Sequence, residues 1–401
     1  MGHHVKLPTV EELQLPADHP WRNVPKIGMT LGLVCFAVAW FAGGDHHQFL
    51  FAYLAAFLFT LGLALGSLFF TLFQHAASAG WSVVVRRTAE NLMAPLPVFI
   101  LLFLPIFFGR HELYHHWMDL EHAKHDPILV SKAPFLNEGF WMIRAAVYLS
   151  VWTVLSWWFR SNSVAQDTEG GEAITRKLQV TSYPGVIAFG LTITFAGIDW
   201  AMSLDPHWYS TMWGVYYFAN SIVSAFALLG LTLLLLRERG VLEGVVTKEH
   251  YHDIGKFVFA FTVFWAYIGF SQYFLIWYAN IPEETMFYSH RGGSWSNLGA
   301  ALMVGHFAIP FLFLMGRSIK RYAPTLKAAC IWVIVFCFLD IYYVVMPTHY
   351  KYGFSFGLTE LLCLVGMVSI YAAVATRFMA SAALVPHGDP RLKESLAFTN
   401  F

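Results

Sequence analysis

Residues 48–73 read QFLFAYLAAFLFTLGLALGSLFFTLF, twenty-six positions without one charged side chain. A hydrocarbon core about 30 Å thick is crossed by roughly 20 apolar helical residues, so this stretch spans a bilayer with turns to spare. Nine further segments of the same kind flank it: 27–42, 81–108, 138–159, 184–203, 208–236, 255–279, 296–316, 325–346 and 354–380. A barrel would show alternating segments of about ten residues instead. The pattern predicts an all-α integral membrane fold with ten transmembrane helices. The first is short, and the third is interrupted by Pro95, Pro97 and Pro105. A membrane bundle tolerates such breaks where neighbours satisfy the freed carbonyls. Residues 1–26 form a polar N-terminal segment, 27–380 the membrane domain and 381–401 a C-terminal tail.

Composition points the same way. Of 401 residues, 57% are hydrophobic and only 12% charged, against about 25% charged in a soluble domain. Lys+Arg and Asp+Glu both number 25, leaving no basic field for nucleic acid. Cys35, Cys330, Cys337 and Cys363 are scattered through apolar runs without a CxxC or CxxCH. That excludes iron–sulfur ligation and c-type haem attachment in this chain and reads as small buried hydrophobes. The polar start has no apolar core for a cleavable leader. Met1-Gly2 is followed by Lys6 where myristoylation needs Ser or Thr.

Orientation follows from the basic residues. Nineteen of the 25 Lys and Arg fall on the side of the N-terminus, five (Arg110, Lys124, Lys132, Arg291, Lys351) fall on the other, and Arg144 lies inside the fourth span. The positive-inside rule then predicts cytoplasmic N- and C-termini. Below, the two sides are called near (termini) and far. The far side carries the two substantial loops, 109–137 with His111, His115, His116, His122 and His125, and 280–295. The His111-x3-His115 spacing suits zinc but lacks the Glu of a metalloprotease motif, so the reading is a solvated or partner-contacting loop and no metal site.

Ionisable groups inside spans cost about 2.5–3.5 kcal/mol each on insertion and are the natural candidates for chemistry. In the far half lie Arg144, Asp199, Asp340 and Glu360, with Asp205 and His207 at a tight surface connection. His306 sits near mid-depth, and Arg86, Arg87 and Glu90 share one helix face in the near half. Two readings stay open. Arg144 with Asp199 or Asp340, and Glu90 with Arg86 or Arg87, are structural ion pairs that hold helices in register. Alternatively Glu90, His306, Asp199, Asp340, Glu360, Asp205 and His207 form a proton path, with Arg144, Arg86 and Arg87 as candidates for a quinone site. Bis-histidine haem needs paired mid-membrane histidines, and the spans offer only His306 there. No nucleophile elbow or phosphate loop is present, so no catalytic residue is assigned.

Three strings carry a resemblance. They are Phe140-Trp-Met-Ile-Arg-Ala-Ala-Val-Tyr, Asp199-Trp-Ala-Met-Ser-Leu-Asp-Pro-His-Trp-Tyr-Ser-Thr-Met, and Phe270-Ser-Gln-Tyr-Phe-Leu-Ile-Trp-Tyr-Ala-Asn-Ile-Pro-Glu-Glu-Thr. With ten spans, over residues 20–385, the chain resembles the ActF-type membrane subunits of alternative complex III. These belong to the NrfD-like (polysulfide reductase membrane subunit-like) family. The resemblance implies two four-helix bundles, helices two to five and six to nine, flanked by helices one and ten. It implies a bacterial cytoplasmic membrane and a complex that oxidises a menaquinol-type quinol. Electrons then pass to iron–sulfur and haem c subunits on the periplasmic face, and on to a cytochrome c or high-potential iron–sulfur protein. It implies no cofactor bound by this chain, lipid around it, and an ActC-like homologue beside it as the owner of the quinol site. The rivals are a secondary transporter or ion channel using the same buried charges, and a purely structural assembly subunit.

Overall fold

The structure, a computed structural model, describes residues 7–400. The Met1-Gly2 start, Lys6, Phe401 and the side chains of Ala42, Leu120 and His122 lie outside the described residues. Among the described residues, ten helices are long and apolar enough to cross a membrane: α1 (Val24–Phe41), α2 (His46–Ala76), α3 (Val83–Phe108), α4 (Glu138–Glu169), α5 (Glu172–Leu204), α6 (Trp213–Arg237), α7 (Lys248–Ala279), α8 (Ser294–Met315), α9 (Ala323–Thr348) and α10 (Leu358–Met379). No strand occurs among the described residues. The chain is a multi-pass helical membrane protein.

Sequence hydropathy underestimates α4, α5 and α7. Residues 160–183, read as a polar near-side connection, are almost wholly helix, broken only at Gly170 and Gly171, both at positive φ. Hydropathy sees only the turns inside lipid, whereas the polar turns beyond it stay helical because they bond their neighbours. Arg160 donates to Phe378 O at 2.9 Å and Lys177 to Asn162 Oδ1 at 2.7 Å. Pro184, the expected start of helix five, sits inside α5. The broken third span is as expected: α3 stops at Met93, passes through a 3-10 turn at Leu96–Val98 and resumes in short helical pieces to Phe108.

The centre of the molecule is α2, apolar on every face, as a helix surrounded by other helices must be; every residue of its span window is buried. It packs on α3 and α5 in one four-helix bundle (α2–α5), on α6 of a second (α6–α9), and on α10. The outermost helix, α1, packs mainly on α10. Lipid offers no hydrophobic drive between helices, so close approach relies on small residues. Gly62 and Gly66 face Ser221 and Ala225 of α6, and a Cβ added at Gly66 would come within 2.2 Å of Ser221 O. Gly28 and Gly32 of α1 meet Ser369 and Gly366 of α10 in the same way. Gly66→Leu is therefore expected to push the bundles apart and destabilise the protein by about 1–3 kcal/mol, the usual cost of overpacking. Thermal unfolding in detergent reads this as a lowered Tm, and an unchanged Tm would show that the α2–α6 seam does not hold the bundles together.

The C-terminal tail is not loose. Leu384 N donates to Leu13 O at 2.7 Å, Asp389 meets Arg86 of α3 at 2.6 Å, and Ser395 O accepts from His250 of α7 at 3.1 Å. The tail straps both bundles together at the near end.

Candidate functional site

Each bundle buries one carboxylate in its last helix, and the two are treated differently. In the first bundle Asp199 (α5) receives a two-point contact from Arg144 (α4), Nε to Oδ2 at 2.7 Å and Nη2 to Oδ1 at 2.8 Å. Tyr148 donates to Oδ2 at 2.7 Å. The guanidinium also stacks over Phe135 and Phe140, its Cζ 3.9 and 4.2 Å from the ring centroids. Forked arginine–carboxylate pairs are strong and geometrically exacting. Asp199 is neutralised and saturated.

In the second bundle Asp340 (α9), fully buried, has no cation among its contacts. Three neutral donors hold it: Tyr216 and Asn220 of α6, and Trp265 of α7. Asn220 Nδ2 and Trp265 Nε1 both reach Oδ2, at 2.6 and 3.0 Å, while Tyr216 alone reaches Oδ1. An indole N–H can only donate, but a tyrosine hydroxyl can reverse and accept. A proton arriving at Asp340 therefore belongs on Oδ1, facing Tyr216. His306 stacks on Trp265 with ring centroids 3.8 Å apart, and its Nε2 lies 3.5 Å from Cys337 Sγ. Its Nδ1 has no hydrogen-bond partner among the described residues. His306 lies in a π-helical turn, Met303–Ala308, inside α8, a distortion frequent at functional positions.

Tyr216 and Trp265 also form one wall of a cavity of about 800 Å³ between α7, α8 and the far end of α9. Ten of its 21 lining residues are aromatic. Tyr267, Phe270 and Met303 on its rim are exposed on the membrane-facing surface. Gln272, Tyr288, Tyr343 and Arg291 supply polar groups at its far end. Arg291 is pinned by three carbonyls, Phe287, Tyr343 and Val344, at 2.8–3.1 Å. Burial pulls its pKa down to about 10, which leaves it cationic at neutral pH. An arene-walled space with a few convergent polar groups is the usual form of a small-molecule site.

The far-side loops converge above this cavity. His207 Nε2 is 2.5 Å from Asp126 Oδ2, and the bond holds Asp126 below the usual carboxylate range. Asp205 pairs not with the adjacent His207 but with His290, at 2.9 Å. His116 is pushed down to about 4, first by burial and then by its neighbours His115, Lys351 and His207. Among the described residues no three His, Cys, Asp or Glu gather as a metal site.

The remaining sequence candidates lie elsewhere. Glu360 caps its own helix, Oε2 accepting from Gly357 N at 2.8 Å, while Oε1 accepts from Gln48 and Tyr350. Glu90 is fully buried at the near end between Arg86 (3.4 Å) and Arg87 (3.0 Å). Arg87 also reaches Asp167 at 2.9 Å. Beside them His75, buried, has neither ring nitrogen bonded to protein, and Gln74 Oε1 and Arg86 Nη1 are likewise unpartnered among the described residues. Buried polar groups of this kind are satisfied by internal water. Of the sequence candidates, the structure pairs Arg144 with Asp199 and Glu90 with Arg86 and Arg87, and it joins His306 to Asp340 through Trp265; Arg86, Arg87 and Arg144 do not line the cavity. Sequence reasoning missed Tyr216, Asn220, Trp265, Arg291 and His75. The density of aromatics across 263–307 was the available signal for the cavity. Compared with models of known protein families and with curated proteins, the chain matches none.

Proposed function

We propose that this chain is a membrane subunit of a respiratory quinol:acceptor oxidoreductase of the alternative complex III type. In this reading it anchors iron–sulfur and haem c subunits on its far side and handles protons at Asp340. One observation carries the proton role: a fully buried carboxylate without a cation touches a lipid-accessible aromatic cavity through a reversible hydroxyl. Ionisable groups left uncompensated at membrane depth are expensive and are kept where protons or ions move. The cavity suits the ring of a menaquinol-type quinol, with Tyr216 taking the hydroxyl proton toward Oδ1 of Asp340. Exit would follow Asp205–His290 and His207–Asp126 at the far surface; the water-demanding groups around His75 and Glu90 mark the near end. Transporter architecture pairs broken helices in its two halves. Here α3 is broken, and in the second bundle α8 carries the π-turn Met303–Ala308, but α7, second in its bundle as α3 is in the first, runs unbroken from Lys248 to Ala279, which speaks against that rival.

Purification from native membranes through a tag on this chain tests the reading. Co-purification of iron–sulfur and haem c subunits with quinol:cytochrome c activity is expected. A chain that purifies alone and moves a solute in liposomes would overturn it. The charge asymmetry adds a topological prediction. In intact cells Glu121→Cys on the far side should react with an impermeant maleimide and Glu169→Cys at the near end should not; the opposite pattern would invert the orientation.

A further inference from the structure

His47 opens α2, and His349 follows α9 on the far side. Their Nδ1 atoms lie 2.8 Å apart, and the rings are tilted at 37° with centroids 4.9 Å apart. A neutral imidazole carries one N–H and one bare nitrogen, so two Nδ1 atoms at this distance need a single proton between them. When both rings are cationic, both Nδ1 atoms carry hydrogen and the bond becomes a repulsive contact between like charges.

We infer that His47 and His349 form an acid-sensitive latch that fastens the far end of α9 to the core helix α2 while they share one proton, and releases it when a second proton binds. The mechanical setting supports this. His349 also stacks on Phe51 of α2, centroids 5.6 Å apart and planes at 27°, so opening the latch removes two contacts between α2 and the segment joining α9 to α10 and leaves it tied there by the bond from Gln48 Nε2 to Tyr350 Oη at 2.7 Å. The charged groups around it are few. Asp45, which caps α2 by accepting from His47 N at 2.9 Å, and Glu360 of α10 face His349 and favour its charged form. Glu360 is itself occupied by Gln48, Tyr350 and Gly357 N. His46 turns away to stack on Trp40, and Lys351 is exposed on the same segment.

The direction of the pH effect follows. Burial first, and then His47, hold His349 below the ordinary imidazole value, outweighing Asp45 and Glu360. A histidine lowered in the folded state contributes its stabilisation above its unfolded pKa, about 6.5. That contribution is lost as pH falls through the lowered folded value. The latch is closed at neutral pH and opens in mild acid. Its consequence rests on the proposed function. His349 stands nine residues after Asp340 on the same run of chain, so acid accumulating on the side that receives protons would loosen the helix carrying Asp340 and slow further release.

Hydrogen exchange of the purified chain in nanodiscs, corrected for intrinsic rates, tests the latch without reference to quinol. Between about pH 7.5 and about pH 5, amides of 46–51 and 349–353 should lose protection by about tenfold or more, while the α2–α6 seam stays protected. His349→Phe keeps a ring against Phe51 but cannot titrate, and should make the protection independent of pH. Should that variant fold poorly, His47→Gln carries the same expectation. A wild type whose protection does not change with pH, or a folded variant with the wild-type pH response, overturns the latch and leaves the role of Asp340 untouched.

Discussion

Arg144→Met is expected to destabilise the protein by about 3–5 kcal/mol, the cost of leaving a buried carboxylate without its cation. Asp199 has no route to solvent and no second cation: its other contact is Tyr148. Methionine keeps much of the side-chain volume but removes the two-point contact at 2.7 and 2.8 Å, the bond to Phe135 O and the stacking on Phe135 and Phe140. The double variant Arg144→Met/Asp199→Asn removes the stranded charge as well and should recover more than half of the loss. Equilibrium or thermal unfolding in detergent measures both. A single variant as stable as wild type, or a double variant no better than the single, would show that the pair does not fix α4 against α5.

Asp340→Asn should behave oppositely, folding normally and losing function. The amide oxygen can take the place of Oδ2, accepting from Asn220 and Trp265, while its NH2 donates to Tyr216, whose hydroxyl reverses. This is the bonding pattern of the protonated acid, now fixed. Stability should stay within about 1 kcal/mol of wild type, as for a substitution that preserves its bonds. Quinol oxidation coupled to proton release should fall by about 10²–10⁴-fold, the usual loss for a positioned acid–base group. Turnover of the purified complex and acidification in proteoliposomes give the two readouts. Wild-type rates in a well-folded variant would remove Asp340 from the proton route.

The membrane fold was legible because its signal is local. Runs such as 48–73 need no knowledge of their neighbours, and the charge asymmetry of the loops is a simple count. Spacing along one helix likewise put Glu90 beside both Arg86 and Arg87, as found at 3.4 and 3.0 Å. The choice between Asp199 and Asp340 as partner of Arg144 was not legible, since both lie at the same depth and only tertiary packing brings α5 rather than α9 to α4. The setting of Asp340 was hidden for the same reason, because Tyr216, Asn220 and Trp265 come from two other helices and read singly as ordinary membrane aromatics and a polar residue. Helix ends were misread where polar turns leave the lipid, as at 160–169, since hydropathy cannot report the bonds that keep them helical. The Gly28/Gly32 and Gly62/Gly66 spacings were present in the sequence and announce close helix contacts, but not which helix answers them.

A change in the protonation of Asp340 is read directly by infrared difference spectroscopy of the purified complex upon quinol addition. The wild type should show the carbonyl stretch of one carboxyl changing protonation. The band should vanish in Asp340→Asn and persist in Asp199→Asn. The same band in Asp340→Asn, or no carboxyl band in the wild type, would contradict the account.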